Sequence, residues 1–271
     1  THSATLSCST GTCFLQISPL GGARAGGPRP RGGGRVKASS QGFTLAEVLI
    51  TLGVIGAVAA LTMPSLIANY RKEVLRAQFK KAYSEISQAA LLLQTKEEIN
   101  IFEYAKSYDS QRALDILMSQ LQGAVVLEGS STYSNFTRTF YHPKLLNKID
   151  KAGQYCDKTN VYRTSNGIFY SMDDRPKDES IADPKLCIDI NGISGPNAYG
   201  YDLFVFVFTK EGKVVPFKYK WTVYQTVEEL ENPAEQCSYS GISNPASCSY
   251  YALADISPQD ASKSYWKDFL K

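Results

Sequence analysis

Residues 43–63 read FTLAEVLITLGVIGAVAALTM, 21 positions that carry one charge, Glu47. At the 1.5 Å rise of an α-helix, such a run extends about 30 Å, the hydrocarbon thickness of a bilayer. A buried core helix of that length would normally keep a polar face. A secretory signal peptide has a shorter apolar centre and does not carry an acid at its fifth position. The sequence therefore predicts a transmembrane helix over 43–64, and every other element has to be built outside the hydrocarbon.

Beyond Pro64 the pattern changes from apolar all round to amphipathic. Leu75, Phe79, Ala82, Tyr83, Ile86, Ala90 and Leu93 recur at spacings of three and four, with Arg71, Lys72, Arg76, Lys80, Lys81 and Glu85 between them. The same helix is expected to continue over 65–98, with one stripe for a globular domain to cover. Pro64 lacks a backbone donor and is expected to kink the helix where it leaves the bilayer.

Residues 1–42 carry five basic side chains and no acid. The whole chain has a net charge of +3, so the remainder is slightly acidic and offers no basic field for nucleic acid. The Gly, Pro and Arg content of 1–42 shows no regular apolar period, and the segment is expected to be an unstructured leader that is removed. Val36 would leave a seven-residue leader ending at Gly42. Translation is expected to start near it, with the residues before it as read-through of upstream sequence. A genuine long basic leader is the competing view.

Residues 99–271 read as an α+β domain. A short helix is expected over 110–121 and a strand over 167–172. The aromatic strand 201–209 should form a hairpin with 213–220 across Lys210-Glu211-Gly212. Residues 230–251 look loop-like. Cys156, Cys187, Cys237 and Cys248 have no zinc-site spacing and fit two disulfides in an oxidising compartment. Three connectivities exist, and the sequence-local one, Cys156–Cys187 with Cys237–Cys248, is preferred. GxSxG, HExxH and P-loop motifs are all missing from the sequence, so catalysis has little support.

The most specific signal lies at the start of the apolar run. Gly42 precedes Phe43, an apolar helix begins at once, and the acid is fifth from Phe43, giving GFTLAEVLITLGVI with Pro64 at position twenty-two. This resembles the class III signal of type IV pilins and the pseudopilins of type II secretion systems. The resemblance implies cleavage between Gly42 and Phe43 by a prepilin peptidase, N-methylation of Phe43, and assembly of subunits through the N-terminal helix. The fold it implies is pilin-like, with the long helix packed on a small antiparallel sheet and a disulfide-stapled C-terminal region. Glu47 would then act in assembly, offsetting the new amine of Phe43 in its own or a neighbouring subunit and so setting register. Basic residues flank the span equally. The cysteines and the resemblance together place the C-terminal domain on the periplasmic or extracellular side of the inner membrane, in a single-pass protein. The implied partners are the peptidase, other pilin or pseudopilin subunits, the secretion or pilus machinery and the membrane before assembly.

A second motif, D-x-N-G-x-x-G-P-N-x-x-G-x-D, runs from Asp189 to Asp202 ahead of the aromatic strand. Gly, Asn and Pro196 predict a chain reversal. Asp189, Asn191, Asn197 and Asp202 are also hard oxygen donors, and some major pseudopilins bind calcium in a C-terminal loop, so Ca2+ is the one metal considered, without EF-hand spacing. No cofactor is required by this reading. Two rival functions stand beside a structural subunit. One is a minor tip pilin acting as adhesin or DNA-uptake module, in which case nucleic acid would be a partner. The other is a membrane-anchored extracytoplasmic enzyme.

Overall fold

Alternation and helical periodicity divide the chain cleanly in the computed structural model. It describes residues 4–9, 12–17, 43–127, 143–149, 159–173, 184–217, 219–221, 227–229, 237–239 and 246–271. The chain forms two compact units, Thr1–Val54 and Ile55–Lys271.

In the first unit, β1 (Ala4–Ser9) pairs antiparallel with β2 (Thr12–Ile17), with Cys8 opposite Cys13. This corrects the expectation that 1–42 holds no regular element. Leu6 and Cys8 alternate with Thr5, Ser7 and Ser9, so a local period of 2 was present in the sequence. Helix α1, Leu45–Lys96, begins in this unit and runs unbroken for 52 residues, with Pro64 inside it.

In the second unit, Leu75, Phe79, Ala82, Ile86, Ala89, Ala90 and Leu93 form the buried stripe of α1. Six of them belong to the expected stripe, and the expected Tyr83 is half-buried. Two short helices follow, α2 (Ile101–Ser107) and α3 (Ser110–Ser119). Asn100 caps α2 by accepting from Phe102 and Glu103 N–H (2.9 and 3.4 Å), and Asp109 caps α3 by accepting from Arg112 N–H at 2.7 Å.

The sheet is a six-stranded antiparallel meander in chain order: β3 (Val125–Val126), β4 (Tyr162–Arg163), β5 (Phe169–Met172), β6 (Lys185–Asp189), β7 (Leu203–Phe208) and β8 (Val214–Pro216). All residues of β6 and β7 are buried, because these central strands are covered on both faces. Leu186, Ile188, Phe204, Phe206 and Phe208 join the α1 stripe in one cluster, whereas Cys187, Leu203, Val205 and Val207 pack with Tyr199, Phe217 and Ala246 in a second.

The β7–β8 hairpin closes as expected, with Thr209 N–H donating to Lys213 O and Gly212 N–H to Thr209 O, both at 2.8 Å. The strand expected over 213–220 is divided, however. Pro216 has no N–H for the ladder, and the chain re-forms as β9 (Tyr219–Trp221) against β10 (Val227–Glu229) in a separate ribbon. The expected loop 230–251 also ends early, because α4 begins at Cys248 (Cys248–Ala254). A π-helical turn, Tyr265–Phe269, supplies Tyr265, Trp266 and Phe269 to the core.

Candidate functional site

The site residues expected from the sequence fall in two places, the start of α1 and the turn from Asp189 to Asp202. At the first, Gly42 lies outside the described residues, and Phe43 is exposed. Thr44 is the N-cap of α1, since its carbonyl accepts the Val48 N–H at 3.2 Å. Its N–H and hydroxyl both donate to Glu47 Oε2 (2.8 and 2.9 Å), and Glu47 N–H donates back to Thr44 Oγ1 at 3.2 Å. This is a reciprocal capping box, which satisfies donors that the first turn of a helix otherwise leaves open. Sequence reasoning singled out Glu47 and missed Thr44. The T-x-x-E spacing opening an apolar run was the signal that could have found it.

From there to Val74 no side chain of α1 is buried. An 18-residue window of the helix reaches a mean hydropathy of 2.1 with none of it buried, so by length and composition α1 can cross a membrane. Pro64 removes the donor that would have served the Ala60 carbonyl. Next to it, the hydroxyls of Thr62 and Ser65 bond back to Val58 O and Thr62 O, both at 2.9 Å.

At the second place, Asp202 organises the turn. Its two carboxylate oxygens accept from Asn197 N–H (3.0 Å) and Ala198 N–H (2.6 Å), and Ala198 O accepts from Tyr201, Asp202 and Leu203 N–H. Burial is the largest influence on this carboxyl and pushes it up to about 6, against the lowering effect of those donors. Asp189 Oδ1 accepts from Asn191 N–H at 3.1 Å. Two of the turn's glycines are required by geometry. Gly192 has φ +62, and a Cβ there would stand 2.5 Å from Gly167 O. Gly200 has φ +78, and its Cβ would stand 2.8 Å from Cys248 Cβ and Sγ.

The structure thus brings the motif against the Cys237–Cys248 disulfide, where Tyr265 also donates its hydroxyl to Gly200 O. Cys187 is disulfide-bonded too; its expected partner, Cys156, lies outside the described residues. The four oxygen-bearing residues considered for calcium share this turn, but the carboxylate oxygens just named are engaged by backbone N–H groups. Asn191 Oδ1 and Asn197 Oδ1 are buried without a partner among the described residues, and they are the donors a hard cation would have to add. No group of three or more His, Cys, Asp or Glu that could hold a metal occurs among the described residues.

Elsewhere, a cleft of about 280 Å3 opens between Glu85, Gln88, Ala89 and Leu92 of α1 and residues 120–122 and 164–166. Amide and hydroxyl groups dominate it, and Glu85 is its one ionisable side chain. The side chains that fix α1 to the domain are found lower on the helix. Phe79 meets Phe204 edge-on at 4.5 Å and Trp266 at 5.4 Å, Trp266 Nε1 donates to Ala252 O at 3.0 Å, and Arg76 Nη2 pairs with Asp255 Oδ2 at 2.5 Å.

No protein-family model matches the chain, and neither a curated protein nor a solved structure matches it.

Proposed function

We propose that this chain is a pilin-like structural subunit of a type II secretion pseudopilus or type IV pilus, held in the inner membrane by α1 and later assembled through it. The observation that carries the reading is the division of one unbroken helix. Its N-terminal part is apolar and wholly uncovered, and its C-terminal part is the spine of an α+β domain. An exposed apolar surface of this size needs lipid or protein around it. A bilayer supplies the first environment, and a bundle of identical helices supplies the second.

The Gly42–Phe43 bond is the processing site in this reading, and Glu47 is the assembly residue. The capping box adds a physical step. A carboxylate in hydrocarbon costs about 2.5–3.5 kcal/mol on insertion scales, and the Thr44 N–H and hydroxyl offset part of that cost before any neighbouring subunit arrives. Glu47 can therefore wait in the membrane without a partner and exchange Thr44 for a subunit amine on assembly. Glu47→Val is expected to leave the chain processed and membrane-bound while abolishing sedimentable filaments. Normal filaments from Glu47→Val would contradict the assembly role, and an unprocessed wild-type chain would contradict the family reading.

A further inference from the structure

Arg71 and Lys72 follow the uncovered apolar stretch by about one turn, just after Leu66, Ile67 and Tyr70, all of them exposed. Distant segments bring further cations to the same place. Lys72 Nζ donates to Lys267 O at 3.5 Å, which sets the π-helical turn beside the first basic turn of α1. Lys148 Nζ donates to Lys271 O at 2.6 Å and lies 4.0 Å from the Tyr201 ring. Lys148 feels Asp202 as well as the repulsion of the nearby Lys72, and Arg71 lies near enough to act on the Tyr201 hydroxyl.

Arg71, Lys72, Lys148, Lys267 and Lys271 thus form one basic face built from three parts of the chain. Among the described residues none of the five pairs with an Asp or Glu side chain. One nearby acid, Asp202, attracts Lys148 across the turn without pairing with it; the others are held by other groups. Glu73 and Asp255 pair with Arg76, Asp268 accepts from Ser264 N–H at 2.9 Å, and Asp202 is buried within its turn.

We infer that this face binds the anionic phosphate headgroups of the bilayer that α1 spans. The inference rests on the membrane reading above and goes further by assigning the domain a lipid class. Its warrant is position and charge together. The face begins where the apolar side chains stop, with Tyr70 at the level where aromatic residues border a bilayer. Clusters of four to eight Lys or Arg beside a span are the pattern that anionic surfaces attract. Arg71 adds the planar donor fork that suits phosphate oxygens. Headgroup binding would hold the domain against the membrane surface before assembly and would have to be given up as the subunit leaves.

The test uses the full chain inserted into vesicles of phosphatidylcholine alone or of phosphatidylcholine with phosphatidylglycerol, with lysine acylation rates read by mass spectrometry. Lys72, Lys148, Lys267 and Lys271 should react several-fold more slowly in the anionic vesicles, and high salt should restore the rates. Lys210 and Lys213 should be unchanged by lipid composition. Their hairpin turn lies beside Gln94, whose side chain donates to Glu211 O at 3.2 Å, and Gln94 is about 33 Å along α1 from Lys72. The double variant Lys267→Glu with Lys271→Glu should erase most of the protection of Lys72 and Lys148. Equal rates in the two lipids, with the chain retained by the vesicles after an alkaline wash, would overturn the headgroup proposal alone. Loss of the chain in that wash would overturn the membrane reading and the proposal with it.

Discussion

The two halves of α1 obey the same backbone geometry and opposite rules of burial. None of residues 43–74 is buried, although Leu45, Leu52, Ile55, Val58 and Leu61 would suit any protein core. From Leu75 to Leu93 every turn contributes a buried side chain, and Phe79 and Ile86 are almost completely enclosed. The difference lies in how the apolar residues are arranged around the helix. A stripe can be covered by one sheet, whereas a helix that is apolar all round cannot, and it must find an environment that surrounds it.

The largest separation of the halves is expected from truncating one side chain in each. Phe79→Ala should cost about 3–5 kcal/mol of domain stability, because it opens a cavity among Phe204, Phe206 and Trp266. Leu61→Ala should stay within about 0.5 kcal/mol in detergent. Denaturant midpoints of the full chain measure both, and similar losses would show that the N-terminal half packs on the domain after all.

The next effect in size belongs to Asp202 and depends on pH. With its carboxyl pushed up to about 6, the folded domain holds a proton that the unfolded chain has already released above the ordinary aspartate range. Its contribution is therefore fully present below about pH 4 and is lost as pH rises through about 6, a change of about 3 kcal/mol. Asp202→Asn should flatten the stability profile across that interval. A profile unchanged by the substitution would mean that another group carries the dependence.

Gly200→Ala should destabilise by about 1–3 kcal/mol, since it combines a left-handed backbone with a Cβ placed against Cys248. Thermal unfolding of the oxidised chain reads this, and an unshifted midpoint would show that the turn and the disulfide can move apart. The smallest effect is expected at the Arg76–Asp255 pair, where a double-mutant cycle should give about 1 kcal/mol because both side chains are partly exposed.

Much of this contrast was legible in the residues. The apolar run 43–63 and the periodic stripe that starts at Leu75 marked the two halves of α1, although the uncovered half extends ten residues beyond Pro64. The aromatic run before Lys210-Glu211-Gly212 located the β7–β8 hairpin. Elements that rest on few residues or on tertiary contacts were not legible. Helix α4 and the π-helical turn are short and gain their order from packing on Phe79 and the disulfide, which no local period records. Strand β8 stops because Pro216 interrupts the ladder, a breaker visible in the sequence but outweighed by the β-branched residues around it. At the two candidate places, Glu47 and the Asp189–Asp202 motif stood out by their unusual setting. Thr44 and Gly200 did not, because a cap and a close backbone approach show their purpose only once their partners are in place.

Cleavage of the bond before Phe43 separates a pilin-type assembly helix from a plain membrane anchor. Intact mass and N-terminal sequencing of the chain recovered from membranes, after expression with a prepilin peptidase, test it directly. The expected product begins at Phe43, carries one added methyl group on its amine, and is replaced by the uncleaved precursor when Gly42→Glu is introduced. A chain that keeps residues preceding Phe43 despite an active peptidase would contradict the proposal that α1 is a pilin-type assembly helix.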